Sequence, residues 1–236
     1  MKTKMLLVLA IASALFFTAC EDEFSTEKID KTFDLSGFTE IDLGDAFEIE
    51  ITKGETYKVN ARGNVRDIND LQLRVQNGRL TGKYESDFNN HKRTEITIQL
   101  PELEVLRLTG ATKTKLYGFE NTSGNQELEL YLGGASELEA LLDLKFLKLH
   151  VEGASEITLD GVAKTVDAEI NGASRFYGSN FYTETIHTDI SGVSKANVRV
   201  SKELKGNLSG NSELNYLGNP DILDVEVSGN SKLRKL

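Results

Sequence analysis

A Gly-x-Ser/Thr tripeptide recurs seven times in this chain. Its glycines are Gly110, Gly134, Gly153, Gly172, Gly192, Gly210 and Gly229, with successive gaps of 24, 19, 19, 20, 18 and 19 residues. The small hydroxyl residues that close each copy are Thr112, Ser136, Ser155, Ser174, Ser194, Ser212 and Ser231. A near-constant period of this length marks a stacked repeat, in which each unit buries its apolar face against its neighbours.

Every copy sits in the same hydrophobic phase. Alternate residues read Leu128, Leu130, Leu132, Gly134, Ser136, Leu138 in one copy and Leu147, Leu149, Val151, Gly153, Ser155, Ile157, Leu159 in the next. Between them fall Lys148, His150, Glu152, Glu156, Thr158 and Asp160. One face is apolar and the other largely charged, which is the period of a half-buried strand. A chain that repeats two extended segments and a bend about every nineteen residues predicts an all-β, parallel β-helix, its coils stacked about 4.8 Å apart. The crossover preference makes the right hand the default. Glycine then serves the kink, where a β-carbon would meet the neighbouring backbone. The hydroxyl two residues on is expected to stack on its counterpart and bond freed backbone groups, with the middle residue facing outward. A row of nucleophilic serines is the rival reading. It lacks a histidine placed in each copy to activate the serine.

Before the repeats, residues 36–109 alternate less regularly. Ile41/Leu43, Phe47/Ile49/Ile51, Tyr57/Val59/Ala61, Leu71/Leu73/Val75 and Ile96/Ile98/Leu100 read as strands. Asn77-Gly78 predicts a type I′ hairpin, because that turn needs positive φ at both central residues. Residues 85–93 are polar and predict an exposed loop. The folded part is therefore expected to be one domain, 36–236, with an irregular, hairpin-containing section (36–109) leading into the repeats (110–236).

The first nineteen residues belong to another class. Lys2 and Lys4 precede an apolar run too short to span a bilayer comfortably, and small residues lead to Cys20, the only cysteine. A lone cysteine makes no intramolecular disulfide. Phe17-Thr18-Ala19-Cys20 resembles the bacterial lipobox, with Phe17 where leucine is commoner. That resemblance implies removal of residues 1–19 and lipidation of Cys20, with several acyl chains anchoring far better than one. An ordinary secretory signal with an incidental cysteine is the alternative. Glu21-Asp22-Glu23 opens a polar stretch, 20–35, read as an acidic flexible tether. It is similar to the tag that Bacteroidota place after a lipidated cysteine for outer-face export. The expected location is the outer membrane, facing outward, or alternatively facing the periplasm.

With the Gly-Ala-Ser coils, the Pro101-Glu102-Leu103-Glu104-Val105 segment and the Phe38-Thr39-Glu40-Ile41 start in view, residues 36–236 resemble the head GIN domain family. That family is also described as an auto-transporter adhesin head and as a domain of unknown function. The resemblance implies a right-handed parallel β-helix, commonly on a lipoprotein of Bacteroidota, and transfers no catalytic residue.

The residues themselves weigh against chemistry. A formal charge of −10 from 27 basic and 37 acidic residues disfavours nucleic acid, whose phosphates need a basic face. His91, His150 and His187 share no metal-ligand spacing and read as surface histidines, so no metal or cofactor is expected. Glu152, Glu156, Glu169 and Asp189 are expected to neighbour one another across coils. They keep a polysaccharide lyase or hydrolase open as an alternative, beside a purely structural envelope role. The leading expectation is a non-catalytic lipoprotein presenting a rigid surface for binding or adhesion to a glycan or protein. Phe181 and Tyr182 are the candidate ligand-face aromatics. The terminal Lys232, Arg234 and Lys235 are expected to blunt end-to-end strand pairing, leaving a monomer or weak dimer.

Overall fold

Alternating side chains commit this sequence to strands, and parallel pairing decides how the strands are stacked. The computed structural model describes residues 27–86, 91–120 and 126–236. The expected leader, Cys20 and the tether up to residue 26 lie outside the described residues, as do residues 87–90 of the polar loop.

The first section contains β1 (Lys28–Phe33), β2 (Glu40–Leu43), β3 (Glu48–Lys53), β4 (Lys58–Asn64), helix α1 (Val65–Asp70), β5 (Leu71–Gln76) and β6 (Arg79–Tyr84). It continues with β7 (Glu95–Leu100), β8 (Val105–Leu108) and β9 (Lys113–Phe119). The repeating section begins with β10 (Glu127–Leu132), followed by four long strands. These are β11 (Glu137–Val151), β12 (Glu156–Ile170), β13 (Arg175–Ile190) and β14 (Lys195–Leu208). Then come β15 (Glu213–Leu217), β16 (Ile222–Val227) and β17 (Lys232–Lys235). All belong to one seventeen-stranded sheet that curls around a common apolar core into a nearly closed, barrel-like wall.

Parallel register follows the sequence period. Glu137 on β11 pairs with Glu156 on β12, which pairs with Arg175 on β13, which pairs with Lys195 on β14. The long strands bend midway, so their first and second halves contribute to different walls. On the first wall the order is β1–β4–β7–β3–β9, then the first halves of β11 to β14, then β15 and β17. On the second wall it is β5–β6–β2–β8–β10, then the second halves of β11 to β14, then β16. Among the described residues, antiparallel pairs occur only in the first section: β1–β4, β4–β7 and β5–β6. Asn77 (φ 53°) and Gly78 (φ 75°) make the β5–β6 turn with both residues at positive φ, as the dipeptide predicts.

Columns of equivalent side chains build the core. Leu128, Leu147, Val166, Ile186 and Leu204 form one such column, all buried. Leu132, Val151, Ile170, Ile190 and Leu208 form another.

Glycines of the tripeptide all have positive φ, between 67° and 80°. At each corner the following amide donates to the glycine carbonyl of the preceding repeat: Ala154 N to Gly134 O at 2.7 Å, Ala173 N to Gly153 O at 2.8 Å. The middle residues, Ala154 and Ala173 among them, face solvent, and the hydroxyl residues Thr112 to Ser212 are buried.

The expected hydroxyl ladder forms in part. Ser136 Oγ donates to Gly133 O in its own corner at 2.8 Å, and Ser155 Oγ accepts from Ser136 N at 3.3 Å. Ser212 and Ser231 share a bond at 3.2 Å, whereas the Thr112 and Ser194 hydroxyls have no hydrogen-bond partner. Ser155→Ala removes one buried acceptor and is expected to cost about 1–2 kcal/mol in urea denaturation, with the fold and any binding retained.

Two readings of the first section are corrected. Residues 28–33, assigned to the tether, form β1, because Ile29, Phe33 and Leu35 pack on the core and the strand pairs with β4. His91 is not a surface histidine: its side chain is 15% exposed and stacks on Tyr84 at 3.7 Å. Its Nδ1 lies 3.1 Å from Asp67 Oδ1, which α1 presents. Burial also pushes the Tyr84 hydroxyl up to about 12, and its partner there is the Thr94 hydroxyl.

Candidate functional site

In-register parallel stacking turns single residues into rows, since equivalent positions of successive repeats stand one strand spacing apart. The outer face of the second wall carries two such rows. One runs Asp42, Arg107, Tyr131, His150, Glu169, Asp189. Its middle is a stack: the Arg107 guanidinium lies 4.5 Å from the Tyr131 ring centre, and the His150 ring lies parallel to Tyr131 at 4.7 Å. His150 Nδ1 is 3.3 Å from Glu169 Oε2. Both faces of Tyr131 are thereby occupied, so this ring offers solvent its edge and no free face.

The neighbouring row runs Glu129, Lys148, Asp167, His187, Lys205. Burial works against charge on Glu129, yet the Lys148 Nζ at 2.7 Å and the Tyr131 hydroxyl hold its carboxyl below the usual range. His187 stands between Asp167 and Glu203, at 3.1 and 3.3 Å. Two open recesses of about 400 Å³ each lie over these rows and share His150 and Glu169. A recess of about 740 Å³ is lined by Glu102, Glu104, Lys53 and Lys148, with Phe146 as its aromatic element. Among the described residues, no group of three or more His, Cys, Asp or Glu is placed to hold a metal ion.

The expected acidic cluster is divided by the fold. Glu169 and Asp189 are direct cross-strand neighbours, and Glu152 lines the same recess as Glu169. Glu156 lies on the first wall, where it faces Arg175 at 3.9 Å. The Gly153 corner lies between Glu152 and Glu156, and the bend in β12 lies between Glu156 and Glu169, so residues that linear alternation would leave on one face are separated. Asp189 accepts from Asn207 at 2.7 Å and Glu169 faces His150 at 3.3 Å, so both members of the cross-strand pair already have a polar partner.

The candidate aromatic pair is split in the same way. Phe181 is 1% exposed and belongs to the core, which excludes it from a ligand face. Its neighbour Tyr182 is 55% exposed on the bend of β13. The Arg199 guanidinium covers one side of the Tyr182 ring at 4.7 Å, and Arg199 is itself fixed by donating from Nε to Ser179 O at 2.8 Å. Val162, the cross-strand neighbour of Tyr182, is exposed, as is Leu141 on the same bend of β11. A large ring held from behind, bordered by exposed aliphatic groups and by Asp160 and Asn180, is a preorganised stacking platform. Arg199 was the residue missed. Nothing in its local pattern separates it from other outward cations, and only the register places it beneath Tyr182.

Residues 37–220 match the family described as "Putative auto-transporter adhesin, head GIN domain". The chain belongs to that family. Solved structures of similar fold include a putative adhesin from Bacteroides fragilis, at TM-score 0.80 and 17% identity, covering 90% of this chain and 99% of that one. A putative adhesin from Parabacteroides merdae follows at TM-score 0.70 and 16% identity, covering 90% and 97%. A putative lipid binding protein from Parabacteroides distasonis has TM-score 0.67 and 14% identity, covering 90% and 98%. No curated protein matches the sequence. At these identities the structures share the head GIN fold, and the adhesin-like family points to a cell-surface protein. Among the described residues no helix is long and apolar enough to cross a membrane.

Proposed function

We propose that this head GIN protein is a non-catalytic adhesin, anchored in the outer membrane through lipid on Cys20 and facing outward. Its folded part is read as a right-handed parallel β-helix with coils of about nineteen residues. The support for that reading is the parallel pairing that runs from β10 to β17, with register shifts confined to the mid-strand bends, and the corner bonds that repeat with it. Glycan is the proposed ligand class, and one observation carries it. Tyr182 offers an exposed, Arg199-backed ring beside polar acceptors, which is what a sugar needs for stacking and hydroxyl bonding.

One structural neighbour, the putative lipid binding protein from Parabacteroides distasonis, raises lipid as a ligand. Here the interior is filled by the stacked aliphatic columns, so an acyl chain would have to lie on the outside. The carbohydrate-active alternative would use Glu169 and Asp189, the one acidic pair the register brings together across adjacent strands of the candidate cluster.

A glycan array tests the proposal. Wild-type protein is expected to retain a defined set of glycans, and Tyr182→Ala to lose at least tenfold in affinity while melting at the wild-type temperature. Turnover of a polysaccharide without array binding would overturn the assignment.

A further inference from the structure

The two ends of the stacked sheet are built differently. At the first end, β1, β4 and α1 close over the core, and Val59, Ile68 and Leu71 are buried. At the other end, β16 pairs with β14 and β17 pairs with β15, and no further described strand covers them. The core columns run straight through this end. Leu223 follows the buried Leu204 and is 47% exposed; Val227 follows the buried Leu208 and is also 47% exposed. Val225 and Leu233 are half-buried beside them. Among the described residues no further layer of the same kind covers these side chains or the backbone edges of β16 and β17.

The outward residues of the two strands carry opposite charge. Asp224 and Glu226 lie on β16, and Lys232 and Arg234 on β17. Only part of this charge is met within the chain: Arg234 reaches Glu213 at 3.4 Å, and Lys205 lies near Asp224.

From this juxtaposition we propose that the open end is an interface for a second copy of this chain. A two-fold axis lying in the end plane and parallel to the strands sets β16 of one copy over β17 of the other, antiparallel. Each acidic strand then faces a basic one, and Leu223, Val225, Val227 and Leu233 of both copies close into one core. The other two-fold arrangement stacks β16 on β16 and β17 on β17, with like charges opposed. Complementary charge thus selects the pairing, and lysine on an edge strand here directs association. Among the described residues the closed first end offers no second open core, so assembly stops at two copies. This inference is independent of the glycan proposal.

Sedimentation of the full chain, with bound detergent subtracted from the mass, tests it. Two copies are expected at about 10 µM. Asp224→Lys with Glu226→Lys makes both edges basic, and Lys232→Glu with Arg234→Glu makes both acidic. Each double variant is expected to dissociate roughly a hundredfold more readily, with its melting transition intact. Mixing the two variants in equal amounts is expected to restore a mixed dimer, which a misfolded variant could not do. A wild-type mass of one chain at this concentration overturns the proposal, as does a dimer indifferent to both reversals. So does a monomer that floats with phosphatidylcholine–phosphatidylglycerol vesicles through Leu223, an outcome that assigns the end to a lipid surface.

Discussion

Gly153→Val is expected to unfold the repeating section, or to lower stability by on the order of 4 kcal/mol or more where folded protein survives. Two independent effects combine. At φ 76° an L side chain is strained wherever it sits. A β-carbon here would also stand 3.0 Å from Gly134 N and closer still to Gly134 O, inside their van der Waals contact. Gly134 is itself a rung of the same column, so neither backbone can withdraw without breaking the 2.7 Å bond from Ala154 N to Gly134 O. Ala154→Val, one residue away, is the control. Its side chain faces solvent and the change is expected to stay within about 0.5 kcal/mol. Urea denaturation of both variants measures the contrast. Equal losses would mean that the tripeptide tolerates or resists substitution as a whole, and the steric account would be wrong.

The second large effect divides two adjacent aromatics. Phe181→Ala is expected to destabilise by about 3–5 kcal/mol, because it empties a fully buried aromatic site between β12 and β14. Tyr182→Ala removes an exposed ring whose main contact is a surface guanidinium, and is expected to cost under about 1 kcal/mol. Thermal unfolding resolves the difference: about 1 kcal/mol moves the midpoint by roughly 2–4 °C in a domain of this size. A large loss in Tyr182→Ala would show the ring to be a structural prop and would remove its claim to the ligand face.

These contrasts show where linear reading ends. Alternation from Leu128 to Leu159 places those strands correctly, and the positive-φ corners follow from Gly-Ala-Ser with no other information. The Asn77-Gly78 turn is equally local. What escapes is set by neighbours distant in sequence. Asp45 is the first rung of the glycine column, at φ 61°, with its carbonyl accepting from Ala111 N at 2.6 Å. It is invisible to a Gly-x-Ser search because aspartate replaces glycine and Phe47 replaces the hydroxyl residue. β1 reads as tether because its apolar residues gain a core only through pairing with β4. Phe181 and Tyr182 are indistinguishable by composition, and the bend of β13 decides which turns inward. Glu156 leaves its expected acidic companions because the Gly153 corner and the bend of β12 lie between them. On the candidate site, the sequence supplies Tyr182, but its support by Arg199 depends on cross-strand register between β13 and β14.

The corner has a further property that follows from its bonding. Each glycine carbonyl points toward the later repeat and each following amide toward the earlier one, from Asp45–Ala111 through Gly210–Asn230. Peptide dipoles along this edge therefore add head to tail, as they do along a helix axis. The edge is electrically directed, positive where Asp45 begins it and negative where Gly229 ends it. Asp45 places an anion at the positive terminus, and Lys232 with Arg234 place cations just beyond the negative one. A column chosen for the absence of side chains thereby gives the whole stack a polarity, and any charged partner that meets its two ends meets opposite fields.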